Sequence, residues 1–159
     1  MNILNVREYI ETFLKIRTKD GTLMPLRLNQ PQDRMYQAVK SQWDAGKPVR
    51  IIVLKARQMG FSTLTEAIIF AITATRFYTD CMIVAHKDEA TANLFRMSLR
   101  YYENLPEPMK PMRKASNAHE LVFDKPAHYK GRRPGLGSSI KCATAGGSGV
   151  GRSATLRCL

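Results

Sequence analysis

Acidic side chains are scarce in this chain of 159 residues, which carries 13 Asp and Glu against 25 Lys and Arg for a formal charge of +12. So one-sided a balance excludes a polycationic partner and calls for a polyanion, nucleic acid before an anionic membrane. A membrane surface would need a basic amphipathic helix with bulky apolar anchors, and none is present. Long apolar runs are missing too. The longest, residues 67–74 with Thr73 inside it, is far short of the roughly 20 residues that span a bilayer, and the N-terminus has no signal-like apolar region. No membrane partner and a cytoplasmic location are expected. Cysteine is limited to Cys81, Cys142 and Cys158, odd in number and widely spaced, which argues against a disulfide framework or a zinc site and for buried reduced thiols. His86, His119 and His128 likewise lack the spacing of metal ligands.

The length and the 44% hydrophobic content suit one globular domain. Val6, Tyr9, Ile10, Phe13 and Leu14 recur at helical spacing after Asn5, with Glu8 as its capping-box partner, so a short helix opens the chain. Lys19, Asp20 and Gly21 make a turn. A second helix starts at Pro31, presents Met35, Tyr36, Val39 and Trp43 on one face, and stops at Gly46. Residues 49–54, β-branched and aliphatic apart from Arg50, read as a buried parallel strand. A polar loop and an almost wholly apolar helix over 62–77 follow. Residues 81–85 repeat the strand and 88–103 the helix, giving β-α-β-α and hence a parallel sheet with crossovers. Pro106, Pro108 and Pro111 form a rigid link. Strands over 120–123 and 139–143 flank a basic loop, 125–137. A Gly-rich loop over 146–153 precedes a last strand beginning at Ala154.

Strand, loop and helix around residues 50–63 supply the setting of a phosphate-binding loop. Backbone N–H groups at a helix N-terminus cradle phosphate oxygens there, with one lysine and one hydroxyl for Mg²⁺. The literal G-x-x-x-x-G-K-[ST] pattern is absent: Gly60 and Ser62 are kept, but Lys55 stands where the first glycine belongs and Phe61 where the lysine belongs. A long side chain at the loop's entrance reaches the phosphates it encloses, so Lys55 takes the place of the missing lysine.

The run Lys55-Ala56-Arg57-Gln58-Met59-Gly60-Phe61-Ser62-Thr63 resembles the deviant Walker A loop of bacteriophage terminase large subunits, some of which carry the lysine at the loop's start. The likeness extends from about Leu28 to Leu159. It includes Leu28-Asn29-Gln30-Pro31-Gln32, similar to their adenine-contacting glutamine segment with Gln32 as the counterpart, as well as Ile83-Val84-Ala85-His86, Ala92-Asn93-Leu94-Phe95 and residues 149–152.

The resemblance implies an α/β P-loop NTPase-type parallel sheet flanked by helices, incomplete at the C-terminus. Residues 1–48 would be a helical lead-in and 49–159 a truncated nucleotide-binding core. It implies ATP and Mg²⁺ as cofactors. Lys55, Gly60 and the amides of Ala56, Gln58, Met59 and Phe61 would face the phosphates, with Ser62 on the metal and Thr63 near the α phosphate. Arg57 is placed as a γ-phosphate contact or cis arginine finger, and Arg152 as an arginine presented to a neighbouring subunit's ATP. The implied parent is an ATPase, also an endonuclease, that drives double-stranded DNA into a procapsid. Its expected setting is a homo-oligomeric ring with a small terminase subunit and a portal protein, in the host cell cytoplasm. The acidic Walker B residues and catalytic glutamate of the family lie beyond Leu159, so this piece is expected to bind nucleotide without turning it over. Lys125, Lys130, Arg132 and Arg133 beside Tyr129 suit sequence-independent contacts to DNA phosphates. Two other functions share these features: a helicase-like nucleic-acid-dependent P-loop ATPase, and a non-catalytic nucleic-acid-binding module with a degenerate P-loop, for which Phe61 is the chief reason.

Overall fold

A computed structural model describes residues 3–18, 20–54, 56, 58–117, 119–146 and 156–158. Helix α1, Ile3–Phe13, buries Val6, Tyr9 and Ile10, with Leu14 just beyond it. It begins ahead of Asn5, so that residue lies inside the helix rather than capping it. The turn at Asp20 and Gly21 closes a small hairpin, β1 (Lys15–Arg17) on β2 (Leu23–Pro25), which periodicity is too weak to reveal in strands of three residues.

Helix α2, Gln30–Asp44, has Asn29 as its N-cap. Asn29 and Gln32 form a reciprocal capping box, with Pro31 in the first turn and Tyr36 and Val39 buried on the inner face. Helix α3, Phe61–Thr73, is buried on nearly every side from Leu64 to Thr73, because it packs against α1, α2, helix α4 (Asp88–Glu103) and the sheet. Phe70 is its deepest anchor, edge-on to Phe123 with ring centroids 6.0 Å apart and tilted against Tyr101 at 5.6 Å. Fully burying one such side chain stabilises the fold by roughly 1.5–3 kcal/mol.

The sheet runs in the order β4-β5-β6-β3-β7. Strand β3 (Asp80–Ala85) lies at its heart, parallel to β6 (Ser138–Thr144) on one side and to β7 (Leu156–Cys158) on the other. Strands β4 (Ala115–Ser116) and β5 (Glu120–Phe123) pair antiparallel, and β5 returns antiparallel onto β6. The sheet is therefore mixed rather than wholly parallel. A parallel pair needs a crossover, usually helical, as α4 provides after β3; the Pro- and Gly-rich connection 124–137 contains no helix and instead turns the chain back. Between α4 and β4, Glu107–Met109 forms a single 3₁₀ turn.

Residues 49–54 depart most from expectation, since they form no strand and Ile52 and Leu54 are fully exposed. Both edges of β3 are already taken by β6 and β7. The backbone of Arg50 is instead paired by a side chain: its N–H donates to Gln42 Oε1 at 2.8 Å and its carbonyl accepts from Gln42 Nε2 at 3.3 Å. Helix α3 also stops at Thr73, and turns at 74–78 replace its expected last stretch. Among the described residues, no helix is long and apolar enough to cross a membrane.

Candidate functional site

The stretch leading into α3 is held from behind by α2. Gly60 is the N-cap of α3 with φ of 75°, and Gln58 also lies in the left-handed region at 64°. Two such residues in one short loop bend the backbone sharply. Gln32 fixes the bend: its Nε2 donates to the Gly60 carbonyl at 2.8 Å while its Oε1 accepts from the Asn29 N–H at 3.0 Å. Asn29 adds a longer contact, Nδ2 to the Met59 carbonyl at 3.5 Å. A side chain at position 60 would displace the Gln32 amide, as its Cβ would come within 2.6 Å of Gln32 Nε2. Gln32, only 4% exposed, is thus placed against the loop's backbone. Its expected adenine contact has to be reconciled with two hydrogen bonds already made by that amide.

What the loop delivers is an open helix end. No side chain caps α3 and its first turn carries no acid, so the first N–H groups and the positive end of the helix dipole are available to an anion. Ala56, Gln58 and Ser62 are exposed, while Met59, Gly60, Phe61 and Thr63 are partly buried. Thr63 faces α4: its hydroxyl approaches Met97 Sδ at 4.0 Å and its carbonyl accepts from the Tyr101 hydroxyl at 3.2 Å. Lys55, Arg57 and Arg152 lie outside the described residues. The donor set, exposed Ser62 beside an uncapped helix start, fits a magnesium-bound triphosphate.

One turn beyond Ser62, Glu66 is 1% exposed in the α3–α4 interface, where it accepts a hydrogen bond from Ser98. Loss of hydration pushes its carboxyl up to about 8, with the Ser98 bond a smaller opposing influence. Nothing in the motif pointed to Glu66, although an acidic residue inside an otherwise apolar helix is a visible signal. Cys81 and Cys142 are both buried free thiols. Burial pushes Cys81 up to about 12 against a smaller opposing contact from Thr73, which keeps it unreactive.

The four cations proposed for DNA lie elsewhere. Lys125, Lys130, Arg132 and Arg133 are all exposed in the loop between β5 and β6, with Lys125 over the Tyr129 ring at 5.5 Å. The end of that loop docks on the turn after α3, where Tyr78 N–H donates to the Leu136 carbonyl at 2.9 Å and the Ser138 hydroxyl to the Arg76 carbonyl at 2.7 Å. The loop before α3 and the end of the basic loop therefore stand at opposite ends of α3. Thirteen residues at about 1.5 Å each separate them by roughly 20 Å.

Sheet order, the central α3 and the bent loop before it define an α/β domain with an uncapped helix start behind that loop. No protein-family model matches the chain, and no curated protein matches it in sequence. Among solved structures, the crystal structure of the HK97 bacteriophage large terminase is similar, with a TM-score of 0.68 and 19% identity over 91% of this chain. The fold is thus terminase-like. The match covers 28% of that terminase chain, so the present sequence spans little more than a quarter of its length.

Proposed function

We propose that this chain is the ATP-binding part of a viral DNA-packaging motor of the large-terminase kind. The observation that carries the reading is the strapped loop: Gln32 holds Gly60 from behind and leaves an uncapped, acid-free helix start facing out beside the exposed Ser62. The terminase-like fold and the charge of +12 support the same reading from independent directions.

In this mechanism the first N–H groups of α3 receive the phosphate oxygens and Ser62 supplies a hydroxyl to the magnesium ion. Lys55 neutralises the β and γ phosphates from the loop's entrance, and Arg57 contacts the γ phosphate. The bound metal ion would offset charge between those phosphates. Hydrolysis also requires carboxylates to orient the attacking water, so binding and turnover are separable, and the residues named here are proposed for binding. DNA translocation, a ring of subunits and contacts to a portal and small subunit belong to the proposal for the whole motor.

The test is equilibrium binding of a fluorescent ATP analogue with Mg²⁺, with phosphate release followed on the same folded preparation. Lys55→Ala removes a charge-assisted contact of about 1.5–3 kcal/mol, or roughly ten- to a hundred-fold in affinity. Unchanged binding in that variant rejects the relocated lysine. Folded wild-type protein that binds no nucleotide favours the degenerate module, for which Phe61 in the lysine position speaks.

A further inference from the structure

The far end of α3 carries a surface that nucleotide binding does not use. Phe77 and Tyr78 stand 55% and 82% exposed there, with ring centroids 6.1 Å apart. Tyr78 is fixed in place. Tyr78 N–H is bonded to Leu136, its φ is 52°, and its ring lies on Gly137, where a Cβ would come within 3.0 Å of a ring carbon. Holding a bulky residue in the left-handed region is costly, and such strain gathers at functional positions. Packing supplies little return for a ring left this exposed.

Beside the pair is a cleft of about 230 Å³ whose walls include Phe77, Met109, Met112 and Leu136 together with Lys110 and Arg133. It is smaller than the roughly 300–1,000 Å³ of a site that encloses a whole small molecule, and it suits one planar ring. Arg133 forms part of its wall, and Lys130 and Arg132 precede it in the same loop, all three exposed. The nearby acids are engaged: Asp124 with Lys114 at 3.6 Å, Asp80 with the Ser139 hydroxyl at 2.7 Å, and Glu107 with Lys110 at 2.6 Å. Exposed aromatic faces, a ring-sized apolar cleft and a fringe of cations are the parts of a stacking platform for an unpaired strand.

We propose that this end of the domain binds single-stranded nucleic acid, an unstacked base lying on Tyr78 and Phe77 with its phosphates held by Arg133 and the loop 125–133. A frayed or unwound DNA end presents such bases; an intact duplex hides their faces and offers this surface phosphates only. The site is independent of ATP binding and stands whether or not the nucleotide loop is occupied.

The experiment is fluorescence anisotropy on the full chain with a labelled oligo-dT, an abasic strand of equal length and charge, and a duplex. Oligo-dT should bind about ten-fold more tightly than the abasic strand. Tyr78→Asn, which tolerates the positive φ, and Phe77→Leu should each remove most of that preference and leave abasic binding unchanged. Phe77→Tyr should keep it. Equal affinity of the wild type for the two strands overturns the proposal, as does no binding at all. A loss in the variants that falls equally on both strands assigns the surface to phosphate contact alone and also overturns it. Thermal melting of each variant confirms that the folded chain is being compared.

Discussion

The two ends of α3 solve opposite problems with the same helix. At its start, backbone N–H groups are left without an internal partner and no acid competes for them, while the loop behind is strapped by Gln32 and Asn29. At its finish the backbone is satisfied from within: Ala74 N–H reaches the Phe70 carbonyl at 2.8 Å, Arg76 N–H the Ile72 carbonyl at 3.1 Å, and Ser138 caps the Arg76 carbonyl. Side chains, chiefly Phe77 and Tyr78, are what this end displays. The compact anion proposed for the start would be met by unmade backbone hydrogen bonds on a fixed scaffold. The polymer proposed for the finish would meet displayed rings and cations instead.

The comparison depends on α3 acting as a rigid rod, and the largest expected effect tests that rod at its middle. Glu66 has a folded-state affinity for its proton near pH 8, well above the ordinary value of a glutamate in an unfolded chain, about 4.3. The folded state therefore binds more protons between these limits, so stability is fully present below about pH 4.3 and falls as pH rises towards 8. Glu66→Gln keeps the shape and a partner for Ser98 without the charge. It should raise stability at pH 8 by up to several kcal/mol, do little at pH 4, and flatten the profile between. Parallel urea-unfolding curves for wild type and variant across that range would contradict a buried neutral Glu66.

A smaller effect is expected at the helix start. Gly60→Ala forces a Cβ into the left-handed region at φ of 75° and to 2.6 Å from Gln32 Nε2, a cost of about 1–3 kcal/mol. Part of it comes from crowding against the end of a side chain that can move. Gly60→Ala combined with Gln32→Ala should therefore cost less than the sum of the two single changes. Additive losses in a double-mutant cycle would mean that Gln32 does not hold the loop. Then the contrast between a strapped start and a closed finish would lose its first half.

The order of elements was largely legible because each rests on local signals: the amphipathic spacing of α2, the apolar character of α3, and the short strand-like runs at 120–123 and 139–143, which the structure places in Glu120–Phe123 and Ser138–Thr144. Residues 49–54 were misread because an apolar β-branched run states a preference without naming a partner. Pairing is a long-range property, and here Gln42 occupies the backbone of Arg50. The antiparallel return of β5 was hidden for the same reason. Gly60 and Ser62 were recognisable from motif spacing, yet Gln32 was read through resemblance as an adenine contact, and its grip on Gly60 required the three-dimensional neighbour. Phe77 falls at the end of the helix expected over 62–77 and Tyr78 just past it, and only the structure shows that α3 stops at Thr73 and leaves both exposed.

The smallest effect sharpens the other end. Arg132 and Arg133 are exposed in the loop beside the aromatic pair, so their contribution to duplex binding is that of charges meeting phosphates through water. Each contact neutralised releases counterions, and log affinity falls with log salt by about 0.9 for every phosphate engaged on a duplex. Arg132→Ala with Arg133→Ala should therefore reduce the slope for duplex DNA by up to about two units. The affinity lost should be modest near physiological salt, where exposed charges are screened within roughly 8 Å. Folding stability should hardly move, because the described residues give neither arginine an ion pair. An unchanged salt slope would leave both arginines as solvated surface. The far end of α3 would then have its aromatic pair and the lysines of the loop with which to meet a nucleic acid, and the proposed division of labour along the helix would rest mainly on stacking.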